Sequence, residues 1–200
     1  MMKIEKDDNC SSAGTTAEQR TEADNSTSAS LSAKPNVGCC GFSHRGLVEV
    51  AYKWLLNNAS CGVAFKELGC LTTSEIPDVI GFGSDGHSVL IEVKVSRSDF
   101  LCDKNKYFRK NPQLGMGSQR FYCCPTDLIK QSDLPEGWGL IYVNDKMKAR
   151  CVYQPYKGNI GERHNGFSKN LKAEHGLMSS ALRRLHIRGR IDEIYELSTP

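Results

Sequence analysis

Two hundred residues, 39% of them apolar and 24% charged, with a net charge of +3, fit one globular domain with a tail and exclude a multidomain machine. No apolar run reaches the roughly 18 to 20 residues that a membrane span requires, and Met1 to Asp8 turn acidic where a secretory signal turns apolar. Neither a membrane nor export is therefore expected, and the nine cysteines, without zinc-ligand spacing, read as reduced thiols in the cytoplasm.

Residues 1–41 are rich in Ser, Thr, Ala, Asn and Glu, contain no aromatic side chain and show no period of 2 or 3.6. Such a stretch buries too little surface to offset its chain entropy, so a disordered tail is expected there and one folded domain over 42–200. A helix is expected over 44–57, capped by Ser43, because Leu47, Val48, Ala51, Tyr52, Leu55 and Leu56 share one face. Residues 63–68 read as a strand that Gly69 ends. After Pro77, the runs 78–82 and 89–95 are β-branched and joined by Ser84-Asp85-Gly86-His87, a hairpin signal.

Residues 98–110 read as one basic helix, ended by Asn111-Pro112. Residues 120–124 and 139–143 follow as buried strands, and 148–153 as an edge strand after the turn at Asn144-Asp145. A final helix carries Leu171, His175, Met178, Ala181, Leu182 and Leu185 at helical steps. The order helix, strands, helix, strands, helix predicts an α/β domain with a mixed central sheet between helices.

Charge on one strand is what a purely structural reading does not absorb. Along 89–95, Glu92 and Lys94 share a face with Leu90, while Ile91, Val93 and Val95 take the other. The run is apolar enough for a covered strand, where a carboxylate and an ammonium need a reason to be present. If the hairpin loop is the three residues Ser84-Asp85-Gly86, Phe82 faces Ser88, Ile80 faces Leu90 and Asp78 faces Glu92. Two acids then meet across strands, which destabilises a sheet unless a cation lies between them. A two-residue loop would put them on opposite faces.

Glu49 on the first helix, Asp78 after Pro77, and Glu92-Val93-Lys94 in the next strand resemble the PD-(D/E)XK nuclease superfamily, the restriction-endonuclease-like fold, over about 44–154. Asp78 to Gly81, Ile91 to Phe100 and Arg120 to Pro125 are similar to MmcB-type DNA-repair endonucleases and to related phage and bacterial proteins. The resemblance implies a magnesium- or manganese-dependent phosphodiesterase, an endonuclease rather than an exonuclease, acting on DNA in repair, recombination or phage and defence processing. In it Asp78, Glu92 and the Val93 carbonyl are metal ligands, Lys94 orients or deprotonates the attacking water, and Glu49 matches the helix acid many such enzymes add. Glu75 and Glu67 are possible substitutes for Glu49. The chemistry agrees, since a hard dication held by one or two carboxylates stabilises the charge of phosphodiester hydrolysis.

Ser96, Arg97, Ser98, Lys104, Lys106, Arg109 and Lys110 are candidate phosphate contacts, with Gln119 beside the site and Arg183 and Arg184 on the last helix as further backbone contacts. Tyr107, Phe108, Phe121 and Tyr122 are candidates for stacking bases. A homodimer stays open. The rival readings are a catalytically silent module that keeps the fold and binds nucleic acid or a partner protein, and a purely structural α/β protein.

Overall fold

The computed structural model describes residues 41–160 and 166–196, so the tail expected over 1–41 lies outside the described residues except for Gly41. Six strands form one mixed sheet in chain order: β1 (Val63–Lys66), β2 (Val79–Phe82), β3 (Ser88–Val93), β4 (Gln119–Pro125), β5 (Trp138–Val143) and β6 (Ala149–Tyr153). β1, β2 and β3 run antiparallel to one another, β3–β4 and β4–β5 are parallel, and β6 returns antiparallel on β5. The α/β architecture with a helix-flanked mixed sheet is as expected. The described part belongs to one compact unit spanning Asn36–Pro200.

The two sheet faces bury separate cores. On one, α1 (His44–Asn58) packs Leu47, Val48, Ala51, Trp54 and Leu55 onto Val79, Val89, Ile91, Phe121, Cys123 and Ile141. Each fully buried aliphatic side chain there contributes about 1.5–3 kcal/mol. Ser43 caps this helix, its hydroxyl accepting from the Gly46 N–H at 3.1 Å. On the other face, Ile80, Leu90, Tyr122, Cys124, Trp138 and Leu140 pack against Phe100 of α2 (Arg97–Asp103) and against Ala173 and Leu177 of α4 (Leu171–Ile187). The central strands β2 and β3 are buried along their whole length, which is why they read as near-continuous apolar runs.

Two expectations need correction. The basic stretch 98–110 is not one helix: α2 ends at Asp103, and a separate turn, α3 (Tyr107–Lys110), follows after Lys106 adopts an extended backbone. The break lets Lys106 and Arg109 turn inward onto buried carboxylates, a packing that a continuous helix with those cations on its outer side would not give. In α4 the inward face is Ala173, Glu174 and Leu177, leaving Leu171, His175 and Leu182 exposed. A buried network selects that face: Glu174 accepts from the Ser88 hydroxyl at 2.6 Å and the Gly117 N–H at 2.9 Å and pairs with Lys169 at 2.8 Å.

Candidate functional site

The hairpin has the odd-length loop. Gly83 donates to the His87 carbonyl, Gly86 takes a positive φ of 86°, and the ladder pairs Phe82 with Ser88, Ile80 with Leu90 and Val79 with Ile91. One step further along the same register, Asp78 stands across from Glu92. Asp78 closes the end of that ladder itself, its Oδ2 accepting the Val93 N–H at 2.7 Å. Burial, and next the charge of Glu92, push the Asp78 carboxyl above the ordinary range.

The two carboxylates take different partners. Asp78 reaches toward the start of α1, with His44 Nε2 at 3.4 Å from its Oδ1, while Glu67, held at a positive φ just past β1, has an oxygen 3.8 Å from His44 Nδ1. His44, Glu67 and Asp78 each offer a ligand atom, all within 4.8 Å of one another. Glu92 turns the other way, toward α3. Its Oε1 lies 3.1 Å from Arg109 Nη2, and its Oε2 lies 3.4 Å from Lys106 Nζ and 3.7 Å from Lys94 Nζ. The register is met; a shared grip of both acids on one point is not shown.

Lys94 shares Glu92's face but is bound chiefly by a residue the sequence reading passed over. Asp103, whose side chain is fully buried, accepts from Lys94 Nζ at 2.9 Å, Arg109 Nε at 2.6 Å and the Tyr122 hydroxyl at 2.6 Å, and pairs with Lys106 Nζ at 2.8 Å. Burial opposes its charge, yet the Arg109 guanidinium, the hydrogen bonds from Lys106 and Tyr122, and Lys94 outweigh it and hold the carboxyl well below the usual range. The same acids keep Lys106 and Arg109 above their ordinary values against the desolvation that opposes them. Glu75 is a further buried acid missed as a partner: its Oε2 accepts the Met116 N–H at 2.6 Å, its Oε1 lies 3.7 Å from Arg109, and burial pushes its carboxyl up. The site is therefore a cluster of four acids, Asp78, Glu92, Asp103 and Glu75, and three cations, Lys94, Lys106 and Arg109, at one end of the sheet.

The remaining candidates divide. Glu49 is placed elsewhere, since its carboxylate binds Lys66 at 2.6 Å on the surface, and His44 occupies the helix position facing Asp78. The outward flank of α1 carries Glu49 because the apolar stripe of that helix runs through Leu47, Val48 and Ala51. Ser96 caps α2 through the Asp99 N–H and meets Ser98, and Arg97 is engaged bidentately by Asp133 at 2.5 and 2.6 Å. Arg97 and Ser98 are exposed and Ser96 part-buried, each with a partner inside the fold. Lys104 and Lys110 are exposed, and Lys106 remains half-exposed while paired. Gln119 is buried at the start of β4, Arg183 is exposed, and Arg184 donates to the Gly69 carbonyl at 2.8 Å. Phe121 and Tyr122 are core, whereas Tyr107 and Phe108 form an edge-to-face pair at 5.3 Å on the accessible side of α3.

No family model matches the chain, and no curated protein matches it. Among solved structures, a protein of unknown function from Silicibacter pomeroyi is similar, with a TM-score of 0.51 and 19% identity over 78% of this chain and 97% of that one. At that identity the likeness shows the fold alone. No described helix is long and apolar enough to cross a membrane.

Proposed function

We propose that this protein is a metal-dependent nuclease acting on DNA as an endonuclease, in repair, recombination or phage and defence processing. One observation carries the reading: the β2–β3 register sets Asp78 across from Glu92 on a covered strand, with Lys94 immediately past that strand's last residue, Val93. The donors fit a dication. Asp78 is a partly buried acid whose charge is disfavoured first by desolvation and then by Glu92, and His44 and Glu67 add an imidazole and a second carboxylate beside it. Asp78, His44 and Glu67 would hold magnesium or manganese, with Glu92 and the Val93 carbonyl joining as the resemblance implies; the imidazole favours manganese over magnesium. Bound there, the ion would supply Lewis-acid stabilisation of charge on the scissile phosphate.

Around it the chain's own groups have distinct work. Lys94 is fixed by Asp103 at 2.9 Å, with Glu92 and Asp99 each 3.7 Å from its ammonium, so its charge is held beside Glu92. Lys106 and Arg109 neutralise Glu92 until a phosphate competes for them, since a phosphodiester offers the same kind of acceptor. A cytoplasmic setting goes with this reading, and all six described cysteines being free supports it.

The second reading, a silent module binding nucleic acid or a partner protein, is favoured by the same cations: Glu92 is already met by three of them. Incubating the purified chain with circular single-stranded DNA and Mn²⁺ or Mg²⁺, with and without EDTA, separates the two. Cleavage that EDTA stops and Asp78→Asn abolishes, in a variant melting like the parent, supports the nuclease; binding with no metal-dependent cleavage supports the silent module. Full activity of Asp78→Asn ends the proposed mechanism.

A further inference from the structure

Three hollows adjoin one another on the side of the sheet that carries Glu92. The first, about 290 Å³, is bounded by Glu75, Glu92, Lys106, Tyr107, Phe108 and Arg109. The second, about 430 Å³, shares Phe108 and Arg109 with it and adds Trp138, Tyr156 and Phe167. The third, about 590 Å³, shares Pro135 to Trp138 with the second and continues past Leu134 to Tyr153. A row of adjoining hollows leading away from an acid-bearing recess suits an extended polymer better than a compact metabolite.

The middle hollow has the chemistry of a base-stacking site. Four of its lining side chains are aromatic: Phe108 and Phe167 are part-exposed, while Trp138 and Tyr156 are almost wholly buried and form its rigid floor. Trp138 stacks on Tyr122 with centroids 4.4 Å apart, and the Tyr156 hydroxyl donates to the Gly137 carbonyl while accepting the Arg120 N–H at 3.0 Å. Phe167 stands across from Trp138, centroids 6.4 Å apart and planes at 64°. Behind Phe167, 4.2 Å from its ring, lies the guanidinium of the fully buried Arg120, whose Nη1 has no hydrogen-bond partner.

Arg109 ties this hollow to the acids. Its guanidinium carbon lies 4.5 Å from the Trp138 ring centre, and its Nη2 lies 3.1 Å from Glu92. The hollow and the carboxylate therefore flank a single side chain, with exposed Lys104 and Lys110 and half-exposed Lys106 near the same segment to meet the backbone. A base stacked in a duplex cannot enter such a hollow without leaving its partner. We propose that the middle hollow receives one unpaired nucleobase, so that the substrate class is single-stranded nucleic acid. The proposal deepens the nuclease reading and rests on it for the role of the neighbouring acids.

Trp138 is its own reporter. The chain has two tryptophans, and Trp54 lies in the core on the opposite face, so Trp54→Phe leaves Trp138 as the single fluorophore. In EDTA, titration with a short oligothymidylate is expected to quench it saturably, with a hairpin duplex doing so far more weakly. Phe108→Ala and Phe167→Ala should each weaken binding by about five- to 150-fold, the range for losing one base–aromatic stack. Fluorescence anisotropy of a labelled strand on the protein with both tryptophans repeats the measurement should Trp54→Phe fold poorly. Equal affinity for single strand and duplex, or insensitivity to both alanine variants, overturns the proposal; so does preferential binding of an aromatic peptide. Metal-dependent cleavage of duplex DNA that ignores both variants overturns the hollow and leaves the nuclease standing. Stacking without any metal-dependent cleavage overturns the nuclease and leaves the hollow.

Discussion

Replacing Asp103 by Asn tests whether the charge cluster is held by its one fully buried carboxylate. The change keeps size and shape, so it leaves no cavity, but it turns an acceptor for Lys94, Arg109, Lys106 and Tyr122 into a neutral amide that can accept on one side only. Lys94 and Arg109 are themselves buried, so their charges are left under-compensated. Removing one partner of such a buried set costs about 3–5 kcal/mol. For a domain of this size that is a fall of about 6–20 °C in melting temperature, at about 2–4 °C per kcal/mol.

Urea denaturation at neutral pH measures the loss, and Asp99→Asn is the control. Asp99 lies 3.7 Å from the same ammonium but its side chain is 44% exposed, and its loss should cost less than about 1 kcal/mol. The pH dependence has a fixed sign. The folded Asp103 carboxyl is held below its unfolded value near 3.9, so its contribution is present above that pH and is lost as the pH falls through the folded value. The gap between parent and Asp103→Asn should therefore stay constant from neutrality down to about pH 5 and narrow below about 3.9. A variant within about 1 kcal/mol of the parent, or no worse than Asp99→Asn, would refute the assignment of Asp103 as the hub.

Three further outcomes follow from the packing. Gly81→Ala places a methyl group into Leu55 and Cys61 where β2 meets α1, and overpacking of about 1–3 kcal/mol should appear as a lower urea midpoint with an unchanged slope. Alkylation of the native protein at pH 8, followed by mass spectrometry, should modify exposed Cys102 while sparing Cys61 and Cys124, whose thiols burial pushes up to about 12. Glu49→Ala should keep both the melting temperature and any metal-dependent cleavage of the parent, since Glu49 serves only the surface pair with Lys66; loss of cleavage with the fold intact would restore it to the site.

What the sequence carried was local chemistry. Gly86 needs a positive φ, a three-residue loop fixes an even offset between strands, and that offset alone puts residues 78 and 92 in register. The alternation of Glu92 and Lys94 within an apolar run gave the charged face by the same period of two. Long-range pairing was less legible. Asp103's partners come from the residue just past β3, from β4, from α3 and from the turn before α3, and nothing local distinguishes it from a solvated acid on a basic helix. One signal was present: Asp103 follows Phe100 by three residues, so an acid shares the face of the apolar anchor of α2 and requires a buried cation.

The same requirement explains why the helix expected over 98–110 breaks. With Lys94 and Glu92 fixed on the strand, Asp103 and Glu92 need more positive charge than one ammonium supplies, and Lys106 and Arg109 reach them only if the backbone leaves the helical path at Lys106. Helix propensity over three residues is worth at most about 0.7 kcal/mol per residue. Leaving a buried carboxylate unpaired costs several times that, so the tertiary charge balance overrides the local pattern.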